Sequence, residues 1–166
     1  MLKLSAITLL VGLVTLVSVA QPGKRAIVGT WRLVSRIDRD PAGNLLQEPS
    51  LGAEPIGYLV YDSSGHVFVQ MMAAHRSGEP LDITSPADKN NLAHVGGYDA
   101  YFGHYEIDTT AGIVIHRLEG ALSQADIGRS LTRRFLLKGD TLTIRFEPGG
   151  QGATRTRTLI WHRVSH

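Results

Sequence analysis

The chain has 166 residues, of which 43% are hydrophobic and 19% are charged, the balance typical of a globular domain with one core. Its formal net charge of +2 is too small to supply the basic surface that a nucleic-acid-binding protein needs. The sequence has no cysteine, which excludes disulfides and thiol chemistry. The domain therefore depends on its core for stability.

The first twenty residues have the pattern of a targeting segment. Lys3 precedes the apolar run LSAITLLVGLVTLVSVA, and Ser18 and Ala20 form a small-x-small cleavage site. The pattern predicts a signal peptide over residues 1–20, cleaved after Ala20, and a secreted or periplasmic protein with no membrane span after cleavage. An uncleaved anchor is the alternative, because the apolar run is only just short of a membrane span.

A short linker over residues 21–26 leads into a single all-β domain over residues 27–166. Eight runs have strand character: Ile27–Ile37, Ile56–Tyr61, His66–Met72, Tyr101–Ile107, Ile113–Glu119, Ser130–Leu137, Thr141–Phe146 and Arg157–Val164. Turn sequences separate them, including Asp38–Asn44, and one short helix is predicted at Pro86–Val95, either capping the barrel mouth or packed on its side. Eight antiparallel strands joined mostly by tight turns favour a closed up-and-down barrel.

Residue alternation predicts which side chains face the interior. The first strand has Trp31, Leu33, Ser35 and Ile37 on one face and Arg32, Val34 and Arg36 on the other. The predicted lining of the cavity comprises Tyr61, Gln70, Met72, Tyr101, Tyr105, His116, Arg133 and Phe135. The strand that carries Gln70 and Met72 is apolar on both faces, so its orientation stays open.

Three of these inward polar groups, Tyr105, His116 and Arg133, are expected to converge on one cavity. A buried arginine and histidine destabilise a core unless they are paired. One interpretation is a polar cluster that orients the carboxylate, hydroxyl or ketone of a ligand in an apolar cavity. A second is an internal hydrogen-bond network that fixes strand register, and a third places His116 near a solvated rim.

The start of the first strand, Gly29-Thr30-Trp31, resembles the Gly-x-Trp signature of the lipocalin (calycin) superfamily. The resemblance implies that Trp31 closes the barrel floor and that Arg163, in LIWHRV, packs across its ring. Further segments, GYLVYDSSGHVFVQMM, YDAYFGHYEID, IVIHRLEG and TRRFLLKGDTLTI, are similar to the bacterial and fungal lipocalin-like domain family over nearly the whole domain. Members of that family are thought to bind small hydrophobic ligands.

These observations predict a carrier or scavenger of a small hydrophobic molecule, with no cofactor. The alternative is a cofactor-free isomerase or cyclase in which His116 and Arg133 are the candidate catalytic residues. A third possibility is a structural or partner-binding barrel with a filled interior. The seven histidines lack the paired spacing of a zinc site, so no metal is expected. The sequence leaves the oligomeric state and the ligand open.

Overall fold

The computed structural model describes residues 23–47, 51–76, 97–146 and 155–165. The predicted signal peptide, its cleavage site after Ala20 and the predicted helix Pro86–Val95 lie outside the described residues. Within the described ranges, no helix has the length and apolar character needed to cross a membrane.

The described residues form strands joined in one antiparallel sheet. The strands are β1 (Gly29–Arg39), β2 (Leu45–Leu46), β3 (Ile56–Tyr61), β4 (His66–Met72), β5 (Tyr98–Asp108), β6 (Ile113–Ala121), β7 (Ser130–Lys138), β8 (Thr141–Phe146) and β9 (Thr156–Ser165). Two short 3-10 turns occur at Lys24–Ile27 and Gln124–Asp126.

The sheet closes because β1 pairs with both β3 and β9. Consecutive strands from β3 to β9 also pair with each other, and the two-residue β2 only extends the end of β1. The prediction of an all-β, eight-stranded, antiparallel up-and-down barrel is confirmed. Closure leaves the eight long strands without an open sheet edge.

The alternation of side chains fills the barrel interior with apolar groups. The interior members that are at most 1% exposed include Trp31, Leu59, Tyr61, Val67, Val114, Leu142 and Trp161. In β6 and in most of β7, every second residue is buried. This pattern places His116 and Arg133 on inner faces, since each shares its face with apolar neighbours.

A β-bulge in β1 changes which residues face inward. Leu33 pairs with Trp161 and Ser35 with Ile160, so Val34 is an extra residue on β1. Beyond the bulge the buried residues are Arg36 and Asp38, while Ser35 and Ile37 are only partly buried. The predicted faces of Ser35, Arg36 and Ile37 were therefore wrong, and Asp38 belongs to a strand instead of a turn.

One end of the barrel, the floor, is closed around Trp31. The indole is fully buried and donates from Nε1 to the Ile27 carbonyl at 2.9 Å. The Arg163 guanidinium lies 4.0 Å from the Trp31 ring centroid and donates to the carbonyls of Val28 and Ala26 at 2.6 and 2.7 Å. Gly29, the first residue of β1, adopts φ +138°, a conformation that favours a residue without a Cβ.

Candidate ligand-binding site

A small cavity lies in the half of the barrel away from the floor. It measures about 20 Å³. Its lining combines apolar side chains with a few polar ones: Leu59, Val69, Met71, Asp99, Tyr101, His116, Arg133, Ile144, Phe146, Leu159 and Trp161. This volume holds about one water-sized group. A mostly apolar lining with a few converging polar groups is typical of ligand sites.

His116 is held between two tyrosine hydroxyls. Its Nε2 lies 2.7 Å from the Tyr61 hydroxyl, and its Nδ1 lies 2.8 Å from the Tyr101 hydroxyl. The three residues come from β3, β5 and β6, and the imidazole is 1% exposed. Burial, assisted by the positive charge of Arg133, lowers the pKa of His116 to about 3. The imidazole is therefore neutral at physiological pH.

Arg133 lies beside Tyr61, Tyr101 and His116, and its buried guanidinium makes few hydrogen bonds among the described residues. Its guanidinium lies 3.6 Å from the ring centroid of Phe146, and its Nη1 donates to the Thr132 carbonyl at 3.0 Å. Its buried Nε has no hydrogen-bond partner among the described residues. Burial lowers the pKa of Arg133 to about 10, so the side chain keeps its charge at neutral pH.

A buried ion cluster lies beyond the cavity, at the end opposite the floor. Arg157 contacts both oxygens of Asp38 at 2.8 and 2.7 Å, and Arg36 contacts them at 3.4 and 3.2 Å. Arg155 approaches the same carboxylate at 3.8 Å. Burial alone would raise the pKa of Asp38, but the bonds from Arg157 and Arg36 outweigh it and lower that pKa to about 2. Asp38 is therefore ionised.

Asp99, at the start of β5, is the second buried carboxyl near the cavity. It is 1% exposed. Desolvation raises the pKa of Asp99 to about 7, although the positive charges of Arg157, Arg36 and Arg133 oppose the rise. This carboxyl gains or loses its proton close to neutral pH.

The barrel and its cavity agree with a family-level match. The chain matches the model of a family described as a lipocalin-like domain over residues 28–164, which covers strands β1 to β8 and all but the last residue of β9. The chain belongs to the lipocalin-like domain family. The resemblance seen in the sequence is thus confirmed, and the fold is consistent with small-ligand binding in general. Comparison with curated proteins gives no match.

The lipocalin-like domain brings part of the sequence-predicted lining together. Tyr101, His116 and Arg133 line the cavity, and Tyr61 reaches it through His116. Tyr105 is buried, but its hydroxyl donates to the Asp62 carbonyl at 3.0 Å, so it does not join Arg133.

Three other predicted residues do not line this cavity of the lipocalin-like domain. Phe135 faces the interior and is buried, but it lies outside the cavity lining. Gln70 is exposed and accepts a bond from the Tyr98 hydroxyl at 3.1 Å. The placement of Gln70 and Met72 in the lining was wrong, because the buried face of β4 carries Val67, Val69 and Met71.

Two carboxyls of the lipocalin-like domain were missed by sequence reasoning. Asp99 lies just outside the predicted strand Tyr101–Ile107, although it shares the inner face of Tyr101 by simple alternation. Asp38 falls in the turn predicted over Asp38–Asn44 from its proline and glycine, and the bulge at Val34, which turns Asp38 inward, gives no clear sequence signal. In the part of the chain that the structure describes, no group of three or more histidine, aspartate or glutamate side chains could hold a metal.

Proposed function

We propose that this lipocalin-like domain binds one small, mostly apolar molecule in the barrel, with the polar end of the molecule at Tyr101, His116 and Arg133. The single observation that supports this best is the pair of buried donors at the cavity. Arg133 Nε and Trp161 Nε1 both lack hydrogen-bond partners among the described residues. Buried polar groups are normally satisfied, so a ligand acceptor at this point would complete the site.

The protein would act as a carrier or scavenger outside the cytoplasm, as the predicted signal peptide implies. The cavity of about 20 Å³ is far smaller than the roughly 300–1,000 Å³ of typical ligand pockets. Entry of a ligand therefore requires lining side chains to move. Met71 is unbranched and adaptable, and Phe146 is partly buried at the end of β8. These two side chains are the expected points of opening.

Trp161 gives a direct test because it lines the cavity. A Trp31→Phe variant leaves Trp161 as the only tryptophan. We expect its fluorescence to change saturably on titration with medium-chain fatty acids, alcohols or alkanes, and native mass spectrometry of protein from its own host to show an added small-molecule mass. If no ligand class changes the emission and every preparation has the mass of the bare chain, the barrel is filled and purely structural.

A second candidate function is a cofactor-free isomerase or cyclase, favoured by the contact of His116 with two hydroxyls. An imidazole with a pKa of about 3 is a weak base at neutral pH, which favours the carrier over the enzyme. Chemical analysis of a ligand before and after prolonged incubation separates the two. Conversion that is lost in His116→Gln would support the enzyme.

A further inference from the structure

We infer that the ligand is an organic anion with a carboxylate head, and that one carboxylate oxygen accepts hydrogen bonds from the Tyr101 hydroxyl and the Arg133 guanidinium. This inference rests on the proposed function and specifies the class of ligand. It also assigns different roles to the two tyrosines that hold His116.

The first support is an excess of buried positive charge near the cavity. Three arginines, Arg36, Arg133 and Arg157, are at most 9% exposed. The buried carboxyls are Asp38, Asp99 and Asp126, and Asp126 forms an ion pair with a fourth arginine, Arg129. Asp38 bonds Arg36 and Arg157, which leaves Arg133 without a carboxylate contact among the described residues. A buried cation is unfavourable without an opposite charge, and an anionic ligand would supply it.

The second support comes from counting protons around His116. A neutral imidazole has one N–H donor and one acceptor nitrogen. His116 therefore accepts a hydrogen bond from one tyrosine hydroxyl and donates a hydrogen bond to the oxygen of the other. The second tyrosine does not use its own O–H in its contact with His116. Burial raises the pKa of Tyr61 and of Tyr101, so both hydroxyls stay protonated. One of these two residues must have a proton to donate elsewhere.

The positions of the two tyrosines relative to the cavity indicate which one has the free O–H donor. Tyr101 lines the cavity, whereas Tyr61 is 0% exposed and its hydroxyl bonds only His116 among the described residues. An acceptor in the cavity thus favours one arrangement. His116 donates from Nδ1 to the Tyr101 oxygen, Tyr101 donates to the ligand, and Tyr61 donates to Nε2. His116 is a positioning residue that directs the Tyr101 proton.

Asp99 is the lining group whose charge opposes an anion. Burial raises its pKa to about 7, so at neutral pH a protonated carboxyl is accessible at little cost. A bound carboxylate favours that protonated form, because two like charges in one buried site repel each other. Binding is thus expected to take up a proton, which weakens carboxylate affinity above neutral pH.

The test compares decanoate with decanol and methyl decanoate, which share an alkyl chain but lack a charge. Trp161 fluorescence gives the affinities at pH 6. We expect the acid to bind at least about thirtyfold more tightly than the alcohol, since breaking a buried charged contact costs roughly 2 kcal/mol or more. Arg133→Met should remove this preference, and Arg133→Lys should keep part of it. Thermal unfolding checks that each variant is folded.

Tyr61→Phe and Tyr101→Phe form a matched pair, because both remove a hydroxyl that bonds His116. We expect Tyr101→Phe to weaken decanoate about tenfold or more and Tyr61→Phe to change it less than about threefold. The ¹⁵N chemical shifts of His116 should report a proton on Nδ1 when decanoate is bound.

The outcomes separate the inference from the proposed function. Equal affinities for acid, alcohol and ester would overturn the anion inference and leave ligand binding intact. Absence of binding by all three, and by the neutral alkanes, would overturn both. Equal losses in the two tyrosine variants, or a proton on Nε2 of His116 with decanoate bound, would overturn the assignment of Tyr101 as the donor.

Discussion

Asp99 makes the free energy of unfolding depend on pH, and the sign of this dependence follows from the burial of the carboxyl group. Its pKa rises from 3.8 to about 7 on folding, because desolvation and the charge of Asp126 outweigh the attraction of Arg157, Arg36 and Arg133. At pH values between these two pKa values, Asp99 is protonated in the folded chain and ionised in the unfolded chain. The contribution of Asp99 to the free energy of unfolding therefore falls as pH rises from about 4 to 7.

We predict that Asp99→Asn is more stabilising, or less destabilising, at pH 8 than at pH 5, by about 2–3 kcal/mol, because about two pH units separate pH 5 from the folded pKa. Urea unfolding at both pH values measures the difference. His116 produces the opposite trend between pH 3 and 6.5, because its pKa is lowered, but it is present in both proteins and largely cancels. Asp108→Asn, at the exposed end of β5, is the control. A pH-independent effect of Asp99→Asn would contradict the prediction.

Trp31 and Arg163, which close the barrel floor, are expected to contribute unequally to the free energy of unfolding. Trp31→Ala removes the largest buried side chain of the floor, and we expect it to lower the free energy of unfolding by about 3–5 kcal/mol. Arg163→Met should cost less, since its aliphatic part keeps much of the packing over the ring. Chemical denaturation measures both, with the exposed Arg145→Met on β8 as a control. A Trp31→Ala loss no larger than that control would refute the floor assignment.

The polar residues of the site differ in how far the sequence could predict them. His116 and Arg133 were assigned to inner faces because their strands alternate cleanly between apolar and polar residues. The sequence prediction for Gln70 and Met72 is wrong, since Val67, Phe68 and Val69 make both faces of β4 apolar. Such a strand gives no indication of orientation until its pairing partners are known.

At the scale of strands, Gly103 lies where the backbone of β6 leaves no room for a side chain on β5. A Cβ on this residue would lie 1.9 Å from the Arg117 carbonyl oxygen, at the point where Glu119 forms a bulge against Phe102 and Gly103. Backbone atoms cannot rotate away, so the two strands would have to separate. The strand pair that positions Tyr101 and His116 thus depends on a residue without a side chain.

We predict that Gly103→Ala lowers the free energy of unfolding by about 1–3 kcal/mol or more. Gly120→Ala is the matched control in β6, because its Cβ would meet the half-exposed Phe102 ring, which can rotate into solvent. The control should lose clearly less stability in the same denaturation experiment. Equal losses would mean that the close backbone contact at Gly103 is not the limiting feature.

The bulge in β1 explains why the ion cluster was not foreseen. One extra residue, Val34, exchanges the two faces of the strand, which turns Arg36 and Asp38 toward the interior. A bulge is set by pairing between β1 and β9, which are far apart in the sequence. Local alternation alone therefore predicts the first half of β1 correctly and the second half with the faces reversed.

At the scale of the whole molecule, the barrel could be predicted because number of strands, turn spacing and alternation all favour it. Strand positions depend on local patterns that the sequence displays directly. The volume of the cavity could not be predicted, because it depends on how Phe146, Met71 and the buried arginines pack together. Interior volume is a sum over all strands, so it becomes visible only in the closed barrel.

The pairing of β1 with β9 brings the beginning and the end of the domain together. Thr30 is the register partner of Ser165, and Arg163 bonds carbonyls of Ala26 and Val28. The strands could therefore keep the same pairing partners if the chain were connected in a different order. A circularly permuted chain, with these ends joined by a short linker and new ends opened in the exposed turn after Asp108, would retain every strand pairing of the barrel.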